Sequence, residues 1–374
     1  MTLTSIILIL GVCFIAYANG ANDNFKGVAT LFGSNTLNYP RALTWATITT
    51  FAGSLCSLLI AESLAIHFSG KGLVPPEIAQ STLFLQAVVF GAGLCVWIAT
   101  LMGLPISTTH ALVGALVGAG FMAAGTQLDV LRLGTVFLLP LLLSPFIALL
   151  LAAIVYQSAQ KLRTHFALQE DSCVCIEENP ATLVAESPNP AMASSTTFDH
   201  FTLQTGECDN NTQHRFGIRA RQALNFIHYL SAGGVCFARG LNDTPKIVAA
   251  LLAAKAAGIQ YGLLLVALFM AAGGILQAKK VAYTMSKKIT PLNEGQGLSA
   301  NMVTFFLVVI ASRFGMPVST THVSVGAIFG IGLTTGQADK RAITTIITAW
   351  FATLPTAALL AALCYTLLQV ITPA

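Results

Sequence analysis

Long apolar stretches recur along the whole chain, each close to the 20 or so residues that a helix needs to cross a hydrocarbon core of about 30 Å. They fall at 2–34, 42–67, 82–102, 105–125 and 132–158, and again at 222–254, 258–278, 297–313, 317–336 and 342–371. No segment shows the long alternation of a membrane barrel strand, so helices are the remaining way to satisfy the backbone in lipid. With 55% apolar and 9% charged residues, too few polar side chains remain to cover a soluble globule. The expected class is an all-α polytopic membrane protein of about ten spans, multi-pass in the inner (plasma) membrane.

Between the two sets of spans, residues 160–220 break the apolar pattern with acidic residues, Ser, Thr, Asn and Pro, including the run SPNPAMASSTT. This reads as a polar linker of disorder-like composition. It separates an N-terminal membrane repeat, 1–159, from a C-terminal one, 221–374. Each half carries the same two motifs in the same order. GANDNFKGVATL at 20–31 is matched by GLNDTPKIVAAL at 240–251, and GLPISTTHALVGALVGAG at 103–120 by GMPVSTTHVSVGAIFGIG at 315–332. A coincidence of that length and order is an internal duplication.

If each half crosses the membrane an odd number of times, the second half enters from the opposite side, which makes the duplication an inverted repeat of about five segments per half. The charges test this. With both termini outside, twelve Lys and Arg residues fall in cytoplasmic loops, the central linker and the pairs Lys279–Lys280 and Lys287–Lys288 among them. Only Lys71, Arg132, Lys255 and Arg313 fall outside. That is the positive-inside pattern. It also explains the basic residues without a nucleic-acid partner, and none is expected.

Asp23 and Asp243 stand inside apolar segments at equivalent places, where an unpaired carboxylate would cost at least about 2.5 kcal/mol. Each follows an Asn, Asn22 or Asn242, whose amide oxygen suits a hard monovalent cation, and each precedes a Lys by three residues. Asp23 with Lys26 and Asp243 with Lys246 could be static ion pairs on one helical face. Their duplication favours a coupling site for a cation or proton. Gly20 and Gly240, just before, are places where a helix could break and expose carbonyls.

The two Pro-x-Ser-Thr-Thr-His runs read as helix starts within the membrane, giving broken or re-entrant helices at the midplane. Pro105 and Pro317 are expected to end the preceding helices, and Ser or Thr to cap the next ones. A helix N-terminus with clustered hydroxyls is an anion site. Ser107, Thr108 and Thr109, with Ser319, Thr320 and Thr321, would then face one tetrahedral oxyanion from opposite halves. Plain capping or helix packing by small residues is the alternative. The Gly114, Gly118, Gly120 series and its copy at Gly326, Gly330, Gly332 read as close helix packing.

His110 and His322, three residues after each Ser, raise an intramembrane hydrolase, but no orienting carboxylate is near in sequence and one catalytic centre has no need of two copies. Catalysis is not expected, and no cofactor. A passive anion pore fits poorly, since two central carboxylates would repel anions. Cys13, Cys56, Cys95, Cys236 and Cys364 lie in apolar segments as small hydrophobes. Cys173, Cys175 and Cys208 with His165, His200 and His214 match no standard zinc spacing, so no metal site is expected.

On these motifs the sequence resembles the PiT family of inorganic phosphate transporters, whose members carry two Asn-Asp and two Pro-x-Ser-x-x-His motifs in inverted halves. The resemblance covers both membrane halves and leaves out the linker. It implies symport of inorganic phosphate with H+ or Na+ by alternating access, a large cytoplasmic loop and a homodimer in the lipid bilayer. It places phosphate on the Ser and Thr hydroxyls and the coupling cation on the Asn-Asp pairs, with Glu62 as a further acidic residue. Asn301 stands where eukaryotic relatives carry a Glu. Sodium-coupled relatives often read Asn-Asp-x-x-Asn, whereas both copies here end in Lys26 or Lys246, whose ammonium could fill the space of a sodium ion. A permease for another tetrahedral oxyanion, such as sulfate, fits the same hydroxyls.

Overall fold

The apolar runs become helices whose ends are set by particular residues. The structure, a computed structural model, describes residues 2–60, 62–167, 169, 172–180, 197–205 and 214–371. In the first half, α1 (Leu3–Asp23) passes through a turn and the 3₁₀ segment Lys26–Val28 into α2 (Ala29–Gly33). Then come α3 (Tyr39–Ile60), α4 (Glu62–Phe68), α5 (Pro76–Ala79), α6 (Thr82–Leu101) and α7 (Thr108–Ala124). The half closes with α8 (Val130–Arg132) and α9 (Leu139–His165). The second half holds α10 (Ala220–Ala253), α11 (Ile259–Gln277), α12 (Lys279–Tyr283), α13 (Glu294–Arg313), α14 (Thr320–Thr335) and α15 (Lys340–Ile371).

Seven helical runs among the described residues are long and apolar enough to cross a membrane, and with the apolar surface described below they make this an integral, multi-pass membrane protein. The other three expected spans coincide with α3, α10 and α14. Of these, α10 carries Arg239, Asp243 and Lys246 near its centre, and α14 has 16 residues, short of a full crossing.

Met1–Tyr156 and His228–Ala374 form one compact unit, and Gln157–Ile227 another. In the smaller unit, β1 (Ser172–Pro180), β2 (Thr197–Thr205) and β3 (His214–Arg219) make an antiparallel sheet in the order β2-β1-β3. The sequence alone reads here as a polar linker of disorder-like composition. The Pro- and Ser-rich run dominates its composition, while the flanks contribute β-branched and aromatic residues such as Val174, Ile176, Phe198, Phe201 and Ile218. Most of SPNPAMASSTT, and the side chains of Cys173, Cys175, His200, Cys208 and His214, lie outside the described residues.

Within the larger unit, α1 packs between α6 and α11, and α15 lies against α6 and α7. Gly114 and Gly118 on α7 face α15: side chains there would run into the Leu354 and Ala358 carbonyls. Their copies on α14, Gly326 and Gly330, face α9 and abut the Pro145 and Leu149 carbonyls. Such backbone approach is how helices associate where lipid removes the hydrophobic drive. The surface is correspondingly apolar: Leu142, Phe146 and Leu150 on α9, and Phe351, Leu359 and Leu363 on α15, are exposed.

Two local expectations need correction. Gly20 and Gly240 do not break their helices, since α1 runs on to Asp23 and α10 is continuous from Ala220 to Ala253. They are small because a side chain there would strike the Met270 and Thr50 carbonyls of neighbouring helices. Pro105 and Pro317 do not end α6 and α13 either. Gly103 (φ 72°) and Gly315 (φ 66°) do, in the left-handed conformation of a Schellman cap. The Leu104 and Met316 N–H groups donate to the Ala99 and Ala311 carbonyls, both at 2.9 Å.

Candidate functional site

Each Pro-x-Ser-Thr-Thr-His run begins a helix in the same way. Ser107 caps α7 by accepting from the His110 N–H (3.1 Å), and Ser319 caps α14 by accepting from the His322 N–H (3.3 Å). Both serines have extended backbone. Thr109 and Thr321 then donate to the Val318 and Ile106 carbonyls of the opposite half, at 3.3 and 3.0 Å. The two helix starts therefore meet, and the imidazoles of His110 and His322 lie with centroids 4.3 Å apart.

The lysines reach across the same junction. Lys26 Nζ donates to Thr321 Oγ1 (2.6 Å), and Lys246 Nζ to Thr109 Oγ1 (2.8 Å). Each also donates to the carbonyl before the capping serine of its own half, Ile106 at 2.7 Å and Val318 at 2.8 Å. Lys26 is paired directly with Asp23 and bonded to Asn22 Oδ1 at 3.0 Å, while Lys246 stands 3.6 Å from Asp243. Asn22 and Asn242 tie these turns to the loops ahead of α7 and α14. The Asn22 amide donates to Thr100 Oγ1 (2.9 Å) and the Leu104 carbonyl (3.0 Å). The Asn242 oxygen accepts from Ser312 Oγ at 3.1 Å.

The two carboxylates share one donor. Asn19 Nδ2 lies 3.1 Å from Asp23 Oδ2, 3.2 Å from Asp243 Oδ2 and 2.9 Å from Thr108 Oγ1, and Thr108 itself donates to Asp23 at 3.1 Å. Thr320 is buried at the matching position of α14. Residues 107–110 and 319–322 thus come together with both Asn-Asp-x-x-Lys turns in one place. Glu62 opens α4, and its side chain lies outside the described ones.

Sequence reasoning missed two members of this cluster, Asn19 and Arg239, which stand at equivalent positions just before Gly20 and Gly240. Arg239 is 1% exposed and donates to Asn19 Oδ1 at 2.5 Å and Asn24 Oδ1 at 3.3 Å, with its Nε 3.6 Å from Asp243. The available signal was an Arg inside the apolar run 222–254, where a charged side chain is costly unless it is paired or functional. A separate polar cluster was also missed. Thr30 Oγ1 lies 3.0 Å from both His228 Nε2 and the Asn301 amide, which reaches Ser231 Oγ at 3.3 Å.

The geometry speaks against a nucleophile. Both serine oxygens are engaged by backbone N–H groups, and no hydroxyl-to-imidazole bond joins Ser107 to His110 or Ser319 to His322 among the described residues. Buried hydroxyls, amides and ammonium groups around two helix starts are instead hydrogen-bond donors of the kind that anions accept from.

A family model described as Phosphate transporter family matches residues 19–361, a span that contains every element of this site. The chain belongs to the phosphate transporter family. It is a carrier of phosphate and not an enzyme. It is 28% identical to a Haemophilus influenzae protein named "Putative phosphate permease", over 96% of this chain and 95% of that one. It is 27% identical to a Rhizobium meliloti protein named "Probable low-affinity inorganic phosphate transporter", over 96% and 94%. A solved structure described as "The sodium-dependent phosphate transporter" shares the fold, with a TM-score of 0.77 and 20% identity over 99% of this chain and 100% of that chain.

Proposed function

We propose that this chain moves inorganic phosphate across the membrane by symport with a cation, H+ or Na+, through alternating access of the central site. The observation that carries the reading is the crossing of the lysines, each of which binds the helix start of the opposite half. Substrate-binding groups are Ser107, Thr108, Thr109, Ser319, Thr320 and Thr321. Coupling groups are Asn22, Asp23, Lys26, Asn242, Asp243 and Lys246, with Glu62. A phosphate drawn to the threonine hydroxyls competes for the bonds that hold the halves together, so binding can be linked to their rearrangement.

The matched contacts on either side of the junction support inverted halves. The excess of Lys and Arg on one side supports a cytoplasmic central segment with both termini outside. A homodimer remains part of the proposal by family resemblance. Hydroxyl and ammonium donors read tetrahedral oxygens without reading the central atom, so sulfate is the competing substrate to exclude.

The decisive experiment is uptake of radiolabelled phosphate into proteoliposomes with sodium and pH gradients imposed separately. Uptake driven by either gradient, and resisting excess sulfate, is expected. Accumulation that follows neither gradient would overturn symport, and full competition by sulfate would overturn the choice of substrate.

A further inference from the structure

The site contains three buried cationic side chains, Lys26, Lys246 and Arg239, and two buried carboxylates, Asp23 and Asp243. No other Asp, Glu, Lys or Arg is buried among the described residues. The rings of His110 and His322 pack on one another, His322 also against Trp350, and each has one buried ring nitrogen without a hydrogen-bond partner. A charged imidazole would leave such an N–H unsatisfied, so the rings fit as neutral groups. Among the described side chains one positive charge stands in excess.

A cation bound at the Asn-Asp turns would need oxygen ligands from those turns. In the first half the candidates are Asn22 Oδ1, Asp23 Oδ1, the Ile106 carbonyl and Thr321 Oγ1, and Lys26 Nζ already holds all four. In the second half Lys246 Nζ holds Thr109 Oγ1 and the Val318 carbonyl, and Ser312 donates to the Asn242 oxygen. The residues present do not fit a sodium ion at either turn.

Arg239 adds what the lysines alone would not supply. Two lysines balance two carboxylates and leave nothing over for a substrate anion. The Arg239 guanidinium shares Asp243 with Lys246, each 3.6 Å from that carboxylate, and its terminal nitrogens bond neutral oxygens of Asn19, Asn24 and Thr50, so this one carboxylate faces two cations. Its Nε, 3.6 Å from Asp243, has no hydrogen-bond partner. Guanidinium stays charged in any protein environment.

We propose that Lys26, Lys246 and Arg239 are tethered replacements for bound metal cations, so that this carrier binds its oxyanion at the central site without sodium, with Arg239 supplying the unbalanced charge. The inference rests on the phosphate reading for its probe and narrows it. Sodium, if it acts at all, acts away from the two Asn-Asp turns. The attraction is between a fixed guanidinium and a mobile anion in a low-dielectric site, where one unit of charge weighs heavily.

The test is equilibrium binding of radiolabelled inorganic phosphate to the purified full chain, in choline and in sodium buffer at one pH, with labelled sulfate in parallel. Wild-type protein is expected to bind phosphate equally in both. The Lys26→Asn/Lys246→Asn double variant should lose binding in choline by roughly 10- to 100-fold, the loss of charged partners around a buried anion, and recover it in sodium. Arg239→Gln should weaken binding by a similar factor, while Arg239→Lys retains most of it. A structural defect would lower binding without creating a sodium requirement.

Wild-type binding that needs sodium overturns the proposal even if no variant folds. So does a double variant that binds as well as wild type in choline. If the chain binds sulfate and not phosphate, the substrate assignment fails, and the choline and sodium arms still decide this inference with sulfate. Binding of neither anion overturns both.

Discussion

The last turns of α1 and the middle of α10 carry the same Asn-Asp-x-x-Lys, yet the chain treats them differently. After Asp23 the backbone leaves the α-helix at Asn24, turns through a 3₁₀ segment and resumes as α2, which lets Lys26 close onto Asp23 and Asn22. In the second half Pro245 sits inside a helix that continues to Ala253, and Lys246 stays 3.6 Å from Asp243. Where the first half has Asn19, the second has Arg239. The polar cluster of Thr30, His228, Ser231 and Asn301 likewise faces apolar residues at its equivalent positions, Ala250, Leu8, Gly11 and Val89. The duplication preserves what binds the two helix starts together. The halves diverge in the distribution of charge around them.

Removal of the carboxylates should expose that difference most strongly. Asp23→Ala strands one buried cation, and an orphaned partner of a buried pair costs about 3–5 kcal/mol. Asp243→Ala strands two, so the larger fall in thermal unfolding temperature in detergent is expected there. Adding Lys26→Met to the first should restore more stability than adding Lys246→Met to the second, because Arg239 remains. Equal rescue in both halves would break the comparison.

The threonines give a smaller contrast. Thr108 is bonded to Asp23 and Asn19, whereas Thr320 has no such carboxylate contact among the described side chains. Thr108→Val should cost about 1.5–3 kcal/mol, the range for a hydrogen bond to a charged group, and Thr320→Val less, read as phosphate affinity and as melting temperature together. If Thr320→Val proves the more damaging to affinity, the second half holds the substrate more tightly than the first.

The caps should behave alike. Ser107→Ala and Ser319→Ala each remove one N-cap acceptor, worth about 1 kcal/mol, and since their geometry matches, the two losses in stability should agree. A mismatch would show that one serine does more than cap its helix. The smallest effect is expected at the central segment, which forms a compact unit of its own. Replacing residues 170–210 with a flexible linker of similar reach should leave uptake intact, and lost uptake in correctly inserted protein would assign that unit a part in transport.

Much of this molecule could be read before any coordinates. Apolar runs near 20 residues impose helices because lipid offers the backbone no other hydrogen-bond partner. The doubled motifs named Asp23, Lys26, Ser107, Thr109 and their copies because charged and hydroxyl groups are too costly in that setting to be incidental. The strands within 172–219 were not legible, because a Pro- and Ser-rich run masks the short β-prone stretches around it.

Tertiary structure decided the rest. Sequence spacing pairs Lys26 with Asp23 and Lys246 with Asp243, but only the meeting of α7 with α14 shows that each lysine also binds the threonine of the other half. That α6 and α13 end at Gly103 and Gly315 and not at the prolines depends on a left-handed residue two places earlier. The excess positive charge depends on where Arg239 points. Periodicity and composition act along the chain and can be read there, whereas a balance of charges is a property of distances between helices far apart in sequence.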